Sequence, residues 1–154
     1  MSTRLLVRKT TWEQVHHMSI LKLVLAVVLG LVVGSVVNMA LVMVSGQVIP
    51  PPPGADMTTA EGLRAALPAL EPRHFLFPFL AHALGTLAGA FVAAKIAVQR
   101  GRPGALIVGT FFFVGGVMAA RMIPAPGWFI ALDLLCAYFP FAWLGHRLAR
   151  PRPQ

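Results

Sequence analysis

The sequence predicts an all-α membrane protein: four transmembrane helices in an antiparallel bundle, with both termini cytoplasmic. Three observations predict it. Of 154 residues, 57% are hydrophobic and 12% charged, against about 45–50% and about 25% in a soluble globular chain. Apolar runs that reach or approach the roughly 20 residues needed to cross a bilayer recur at about 23–46, 74–97, 104–122 and 128–146. Basic residues also collect on one side of the thread drawn through those runs. This composition excludes a disordered chain. The runs are too long for strands and lack alternation, which excludes a β-barrel. The lone cysteine, Cys136, excludes an intrachain disulfide and a Cys-rich metal site.

Residues 1–22 form a basic N-terminal arm. Within it, Thr11–Ile20 predicts a short helix on the inner surface, with Trp12, Val15 and Ser19 on one side. Span 1 follows. Its apolar core exceeds the roughly 7–15 residues of a signal-peptide core, and the only small-residue site near its end, Ser45-Gly46, is a poor cleavage site, so it is expected to remain as a span.

The outer loop, from about Gln47 to His74, opens with Pro50–Pro53, an extended polyproline segment that Gly54 turns. Thr58 and Glu61 have capping-box spacing, and Leu63, Leu67 and Leu70 share a face. A short amphipathic helix over about Thr59–Leu67, stopped by Pro68, is expected on the outer surface. This segment reads either as a lid over a site or as a plain connector, and connectors are the commoner case. Pro72 suits the start of the next helix. Pro78 and Pro140 lie within or near spans 2 and 4, where a proline kinks a helix unless it sits in the first turn. Spans 2–3 and 3–4 are joined by short turns, which force antiparallel neighbours. Residues 147–154 form a basic tail.

The net charge of +8 resolves into threading. Arg4, Arg8, Lys9, Lys22, Lys95, Arg100, Arg102, Arg147, Arg150 and Arg152 fall on one side, and only Arg64, Arg73 and Arg121 on the other. The positive-inside rule places the richer side in the cytoplasm. Trp128 and Trp143 near the two ends of span 4 fit interfacial belts. No soluble basic domain exists to bind nucleic acid. A rim this basic is expected to attract anionic lipid headgroups.

Helices in lipid associate through small residues and interhelical hydrogen bonds. Gly30 and Gly34 in span 1, Gly85 and Gly89 in span 2, and Gly115 and Gly116 in span 3 form candidate packing faces. They serve either packing within one bundle or oligomerisation, with a second copy or another membrane protein as partner.

The candidate site is a set of polar residues at depth. Asn38 lies seven residues before Ser45, His82 seven after Phe75, and Asp133 five after Trp128. At about 1.5 Å per residue, all three sit roughly 8–11 Å inside the outer boundary. Arg121, at the outer end of span 3, either snorkels outward or pairs inward. Intramembrane ionisable groups face the bundle interior and find partners, so Asp133 is expected to pair with His82 or Arg121. The cluster reads as a proton-exchanging or substrate site, or as a structural clasp. The adjacent His16 and His17 point apart on a helix, and no His-x-x-x-His, Cys-x-x-Cys or Gly-x-Ser-x-Gly motif occurs. No catalytic residue, metal or cofactor is expected.

The stretches GSVVNMALVMVSGQVIPPPPGAD (34–56), HFLFPFLAHALGTLAGAFVAAKIA (74–97) and WFIALDLLCAYFPFAWLGHRLA (128–149) resemble a family of small, uncharacterised bacterial multi-pass membrane proteins. That resemblance covers roughly Leu23–Ala149 and implies a bacterial cytoplasmic membrane, with no reaction attached. The function expected first is a non-enzymatic accessory or scaffold subunit of a membrane assembly. The alternatives are a small proton-coupled carrier using His82, Asp133 and Asn38, and, last, a membrane enzyme or cofactor binder.

Overall fold

The computed structural model describes residues 3–150, with side chains from Ser19 onward. The side chains of Arg4, Arg8, Lys9, Trp12, Val15, His16 and His17, and the tail from Pro151 that includes Arg152, lie outside the described residues. The described residues form six α-helices: α1 (Thr3–Val48), α2 (Ala60–Ala66), α3 (Leu76–Ile96), α4 (Gly101–Met122), α5 (Gly127–Cys136) and α6 (Phe139–Ala149). No strand occurs among the described residues. Four helical stretches are long and apolar enough to cross a membrane: Ser19–Val48, Pro72–Ile96, Val98–Met122 and Gly127–Ala149.

The inner-surface helix expected over Thr11–Ile20 is not a separate element. It belongs to α1, which runs unbroken for 46 residues, about 69 Å at the usual rise. Neither glycine nor proline interrupts residues 3–29, so nothing in the backbone separates arm from span.

α3 is the central helix, packed against α1, α4 and α6. Its contact with α1 is backbone to backbone. A Cβ added to Gly30 would lie 2.5 Å from the Gly89 carbonyl oxygen, and one on Gly89 would lie 2.6 Å from the Gly30 oxygen. Gly34 and Gly85 repeat this reciprocity at 2.6 and 2.8 Å. The register runs 30 with 89 and 34 with 85, so the two helices are antiparallel, and the two Gly-x-x-x-Gly faces meet within one chain. Val108 and Phe112 of α4 cover the same seam. On the other side of α3, Gly145 of α6 sits against the Leu87 carbonyl, and Gly109 of α4 meets Ala142 of α6. The core is accordingly built of small side chains, among them Ala26, Ala81, Ala90, Ala93, Ala105 and Ala142. Gly115 takes no part in packing within the chain: it is exposed, and a Cβ there meets nothing within 4 Å. It lies one position, about 100° of helix, from its buried neighbour Gly116.

Span 4 is two helices rather than one. Pro140 lacks an N–H and its ring would strike the carbonyl of Cys136, so α5 ends there. α6 restarts with Pro140 in its first turn, where the missing donor costs nothing. Pro78 likewise falls in the first turn of α3.

The long loop carries α2 one residue later than the capping spacing predicts. Thr59, not Thr58, is the N-cap, and its Oγ1 accepts from the Gly62 N–H at 3.0 Å. The reason is Asp56. Its Oδ1 accepts from both the backbone N–H (2.8 Å) and the hydroxyl (2.6 Å) of Thr58, and its Oδ2 accepts from the Thr59 hydroxyl at 2.9 Å. Thr58 is thus committed to the preceding turn. Gly62 permits it, since a Cβ there would lie 2.5 Å from the Asp56 carbonyl oxygen. Pro68 is the second residue of a 3₁₀ turn, Leu67–Ala69, that replaces further α-helix. Gly54 has φ +78°, the left-handed turn expected after the prolines.

The hydrogen bond from the Thr58 side chain, then those from the Thr58 backbone and Thr59 side chain, hold the Asp56 carboxyl below its ordinary value of 3.8. A lowered folded-state pKa stabilises the turn at pH above 3.8, and that support is lost as pH falls through the folded value. We expect the amide of Gly62 to lose hydrogen-exchange protection only below pH 3.8, and Asp56→Asn to weaken it above pH 3.8, with the two proteins converging at lower pH. Unchanged protection in Asp56→Asn contradicts this.

Candidate functional site

The site is built around Asp133, on α5, one turn before the break in span 4. Asp133 is 5% exposed. Its Oδ1 and Oδ2 each lie 2.9 Å from Nδ1 of His82 on α3. Its Oδ2 also accepts from the Tyr138 hydroxyl at 2.8 Å. With Nδ1–H donating to the carboxylate, the His82 Nε2 has no partner among the described residues, and the side chain is 27% exposed.

Tyr138 is the residue that sequence reasoning missed. Five residues along a continuous helix turn through about 140°, so Asp133 and Tyr138 would point apart. The break at Ala137–Tyr138 folds the hydroxyl back onto the carboxylate. Tyr138 is 1% exposed, flanked by His82 and Phe113 with ring centroids 5.7 and 5.9 Å away. Gly116 of α4 lies directly against the hydroxyl, where a Cβ would clash. The available signal was Tyr138 itself, the chain's one tyrosine, two residues before a proline inside an apolar run. A buried phenol finds an acceptor, and Asp133 is the one carboxylate in any span.

The four sequence-predicted residues therefore divide. His82 and Asp133 come together. Asn38 is half-buried on α1, with its Cβ against Gly85, and no hydrogen bond joins it to the pair among the described residues. Arg121 is a correction. It is exposed near the end of α4 and takes no part in an ion pair among the described residues. Thr86, one turn beyond His82, is fully buried, and its hydroxyl has no partner among the described residues.

Two clefts open at the ends of the molecule, and neither is lined by the cluster. One, about 130 Å³, lies between the end of α1, the long loop and the start of α3. There His74 Nδ1 accepts from the Glu71 N–H at 2.9 Å, so Nε2 carries the proton and donates to the Pro50 carbonyl at 3.3 Å. The other, about 250 Å³, lies between α1 and the turn before α4. At that same end, Arg147 stacks on Trp143, 4.6 Å from the ring centroid, and Arg150 donates to His146 Nε2 at 3.2 and 3.0 Å. No group of three metal-ligating side chains occurs among the described residues.

Chemically, Asp133, His82 and Tyr138 form a closed hydrogen-bonded set joining α3, α5 and the start of α6. It holds a proton donor and acceptor in contact, with one imidazole nitrogen left over. Comparison with protein-family models, curated proteins and solved structures finds no match.

Proposed function

We propose that the chain is a non-enzymatic accessory or scaffold subunit of a membrane assembly, in which His82, Asp133 and Tyr138 act as a clasp. The observation that carries this is saturation from within: both Asp133 oxygens are occupied by the chain's own donors. Gly116 closes the space beside the Tyr138 hydroxyl, and the clefts lie elsewhere. The clasp joins the two halves of the broken fourth span to the central helix. The excess of basic residues at the end carrying residues 95–102 and 147–150 supports a cytoplasmic location for both termini, with α2 on the outer surface. The family resemblance supports a bacterial cytoplasmic membrane. Solubilised gently from its native membrane, the chain should migrate in a stoichiometric complex with a second membrane polypeptide or with further copies of itself. Recovery of a lone monomer across several mild detergents overturns the subunit reading.

A second reading, a small proton-coupled carrier, is favoured by one observation. The imidazole is partly exposed while its Nδ1 touches a buried carboxylate, the arrangement a proton relay needs. Reconstituted liposomes with an internal pH dye separate the two. The clasp predicts no proton movement in wild type. Flux that Asp133→Asn abolishes, in a variant that still folds, establishes the carrier.

A further inference from the structure

The 250 Å³ cleft is lined by Ser19, Lys22, Ile96, Ala97, Val98, Gln99 and Arg100. Among the described side chains it is lined by two cations and no acid. The carboxylates with described side chains are Asp56, Glu61, Glu71 and Asp133, in the long loop or in span 4. None of them reaches this end. Of the other described cations at this end, Lys95 lies over the Phe91 ring, Arg147 over Trp143, and Arg150 bonds His146, while Arg102 does not line the cleft. Lys22 and Arg100 have no hydrogen-bond or ion-pair partner for their side chains among the described residues. Two cations converging on one cleft repel each other, and an anion between them relieves that. The 22-residue α4 starts directly after Arg100, with neither an acidic residue in its first turn nor a side-chain cap.

The cleft is also amphipathic. Val98 is 76% exposed and Ile96 41% exposed, so apolar surface stands beside the two charges at the end of two helices able to cross a membrane. At about 250 Å³ it falls below the roughly 300–1,000 Å³ of ordinary cofactor pockets, which suits a headgroup rather than a nucleotide.

We propose that this cleft binds the phosphate of an anionic phospholipid, held between Lys22 and Arg100, with the acyl chains leaving over Ile96 and Val98. A phosphate oxygen accepts charge-assisted hydrogen bonds from guanidinium and ammonium alike. A free phosphate shares that headgroup chemistry but leaves the apolar rim uncovered. The proposal rests on the four helices spanning a bilayer and not on the subunit role.

The test is native mass spectrometry of the full chain, titrated with phosphatidylglycerol, phosphatidylcholine or inorganic phosphate. Lys22→Gln/Arg100→Gln is compared with Arg147→Gln/Arg150→Gln, which removes the same charge at the same end outside the cleft. We expect one tightly held phosphatidylglycerol per wild-type chain. At about fivefold per basic contact, the cleft variant should bind roughly 30-fold more weakly, and the control variant should stay within about twofold of wild type. Equal losses in the two variants overturn the proposal in favour of diffuse surface charge. Equal retention of phosphatidylcholine overturns the anion selectivity. Displacement of the lipid by millimolar inorganic phosphate assigns the cleft to a soluble anion and overturns the lipid. Tryptophan fluorescence of both variants checks that each is folded, and a lone monomer that still binds the lipid separates this proposal from the subunit reading.

Discussion

Gly89→Val is expected to be the most damaging single substitution in this chain. A Cβ at position 89 would lie 2.6 Å from the Gly30 carbonyl oxygen and 3.1 Å from Val108. The first obstacle is backbone on an antiparallel helix and cannot rotate away, so α1 and α3 must separate. Separation also opens the matching contact at Gly34 and Gly85, because both helices are rigid over one turn. In lipid, apolar side chains gain little by leaving other apolar chains, and close packing is the main force between helices. Overpacking costs about 1–3 kcal/mol where side chains can adjust, and a fixed carbonyl puts this case at the upper end, about 3 kcal/mol. Gly115→Val is the control: it adds the same atoms to a helix of the same kind, facing open space, and should stay within about 0.5 kcal/mol of wild type. Reversible unfolding in mixed micelles measures both. Equal stabilities for the two variants would mean that the α1–α3 seam does not hold the bundle together.

That contrast shows what the sequence can and cannot reveal. The spans are legible because a bilayer demands length and apolarity together, and both are additive along the chain. The Gly-x-x-x-Gly faces are legible as spacing, but their pairing is not. Gly30 against Gly89 depends on register, which no single helix encodes. Gly115 and Gly116 differ only in the direction they face, which the run of small residues conceals. The His82–Asp133 contact is legible because depth can be counted from each end, and charged groups at one depth seek each other. Tyr138 is hidden because helical periodicity places it on the wrong face, and only the break at Pro140 returns it. Arg121 illustrates the opposite error. Equal depth suggests a partner, but an arginine in the last turn of a helix reaches the surface at less cost than the interior. The displaced cap at Thr59 is similar in kind: Thr58 has the better spacing to Glu61, and Asp56 takes it first.

Removing Asp133 should change the sign of what the Tyr138 hydroxyl contributes. In wild type that hydroxyl donates to Asp133 Oδ2 at 2.8 Å, and interhelical hydrogen bonds in membranes are worth about 0.6 kcal/mol on average and about 1.7 at most. Tyr138→Phe alone should therefore destabilise by about 1 kcal/mol. Asp133→Leu leaves two donors without an acceptor. The His82 side chain is part-exposed and recovers some of its loss by turning to water, whereas Tyr138 is 1% exposed and carries the cost of an orphaned buried donor, about 1–3 kcal/mol. In the Asp133→Leu background, Tyr138→Phe removes that orphan and should stabilise. The two substitutions are then non-additive by more than the roughly 0.3–0.5 kcal/mol seen for independent sites. Asp133→Asn, which keeps one acceptor for the phenol, should fall between wild type and Asp133→Leu. A double-mutant cycle in mixed micelles reads all four corners, and additivity within error would show that the phenol and the carboxylate do not act together. The same variants bear on function. A clasp loses stability in proportion to the hydrogen bonds removed, and assembly with its partner falls in step. A proton carrier behaves differently, because Asp133→Asn would keep most of the stability and lose all of the flux. The ratio of those two losses, measured on one variant, decides which role the buried carboxylate serves.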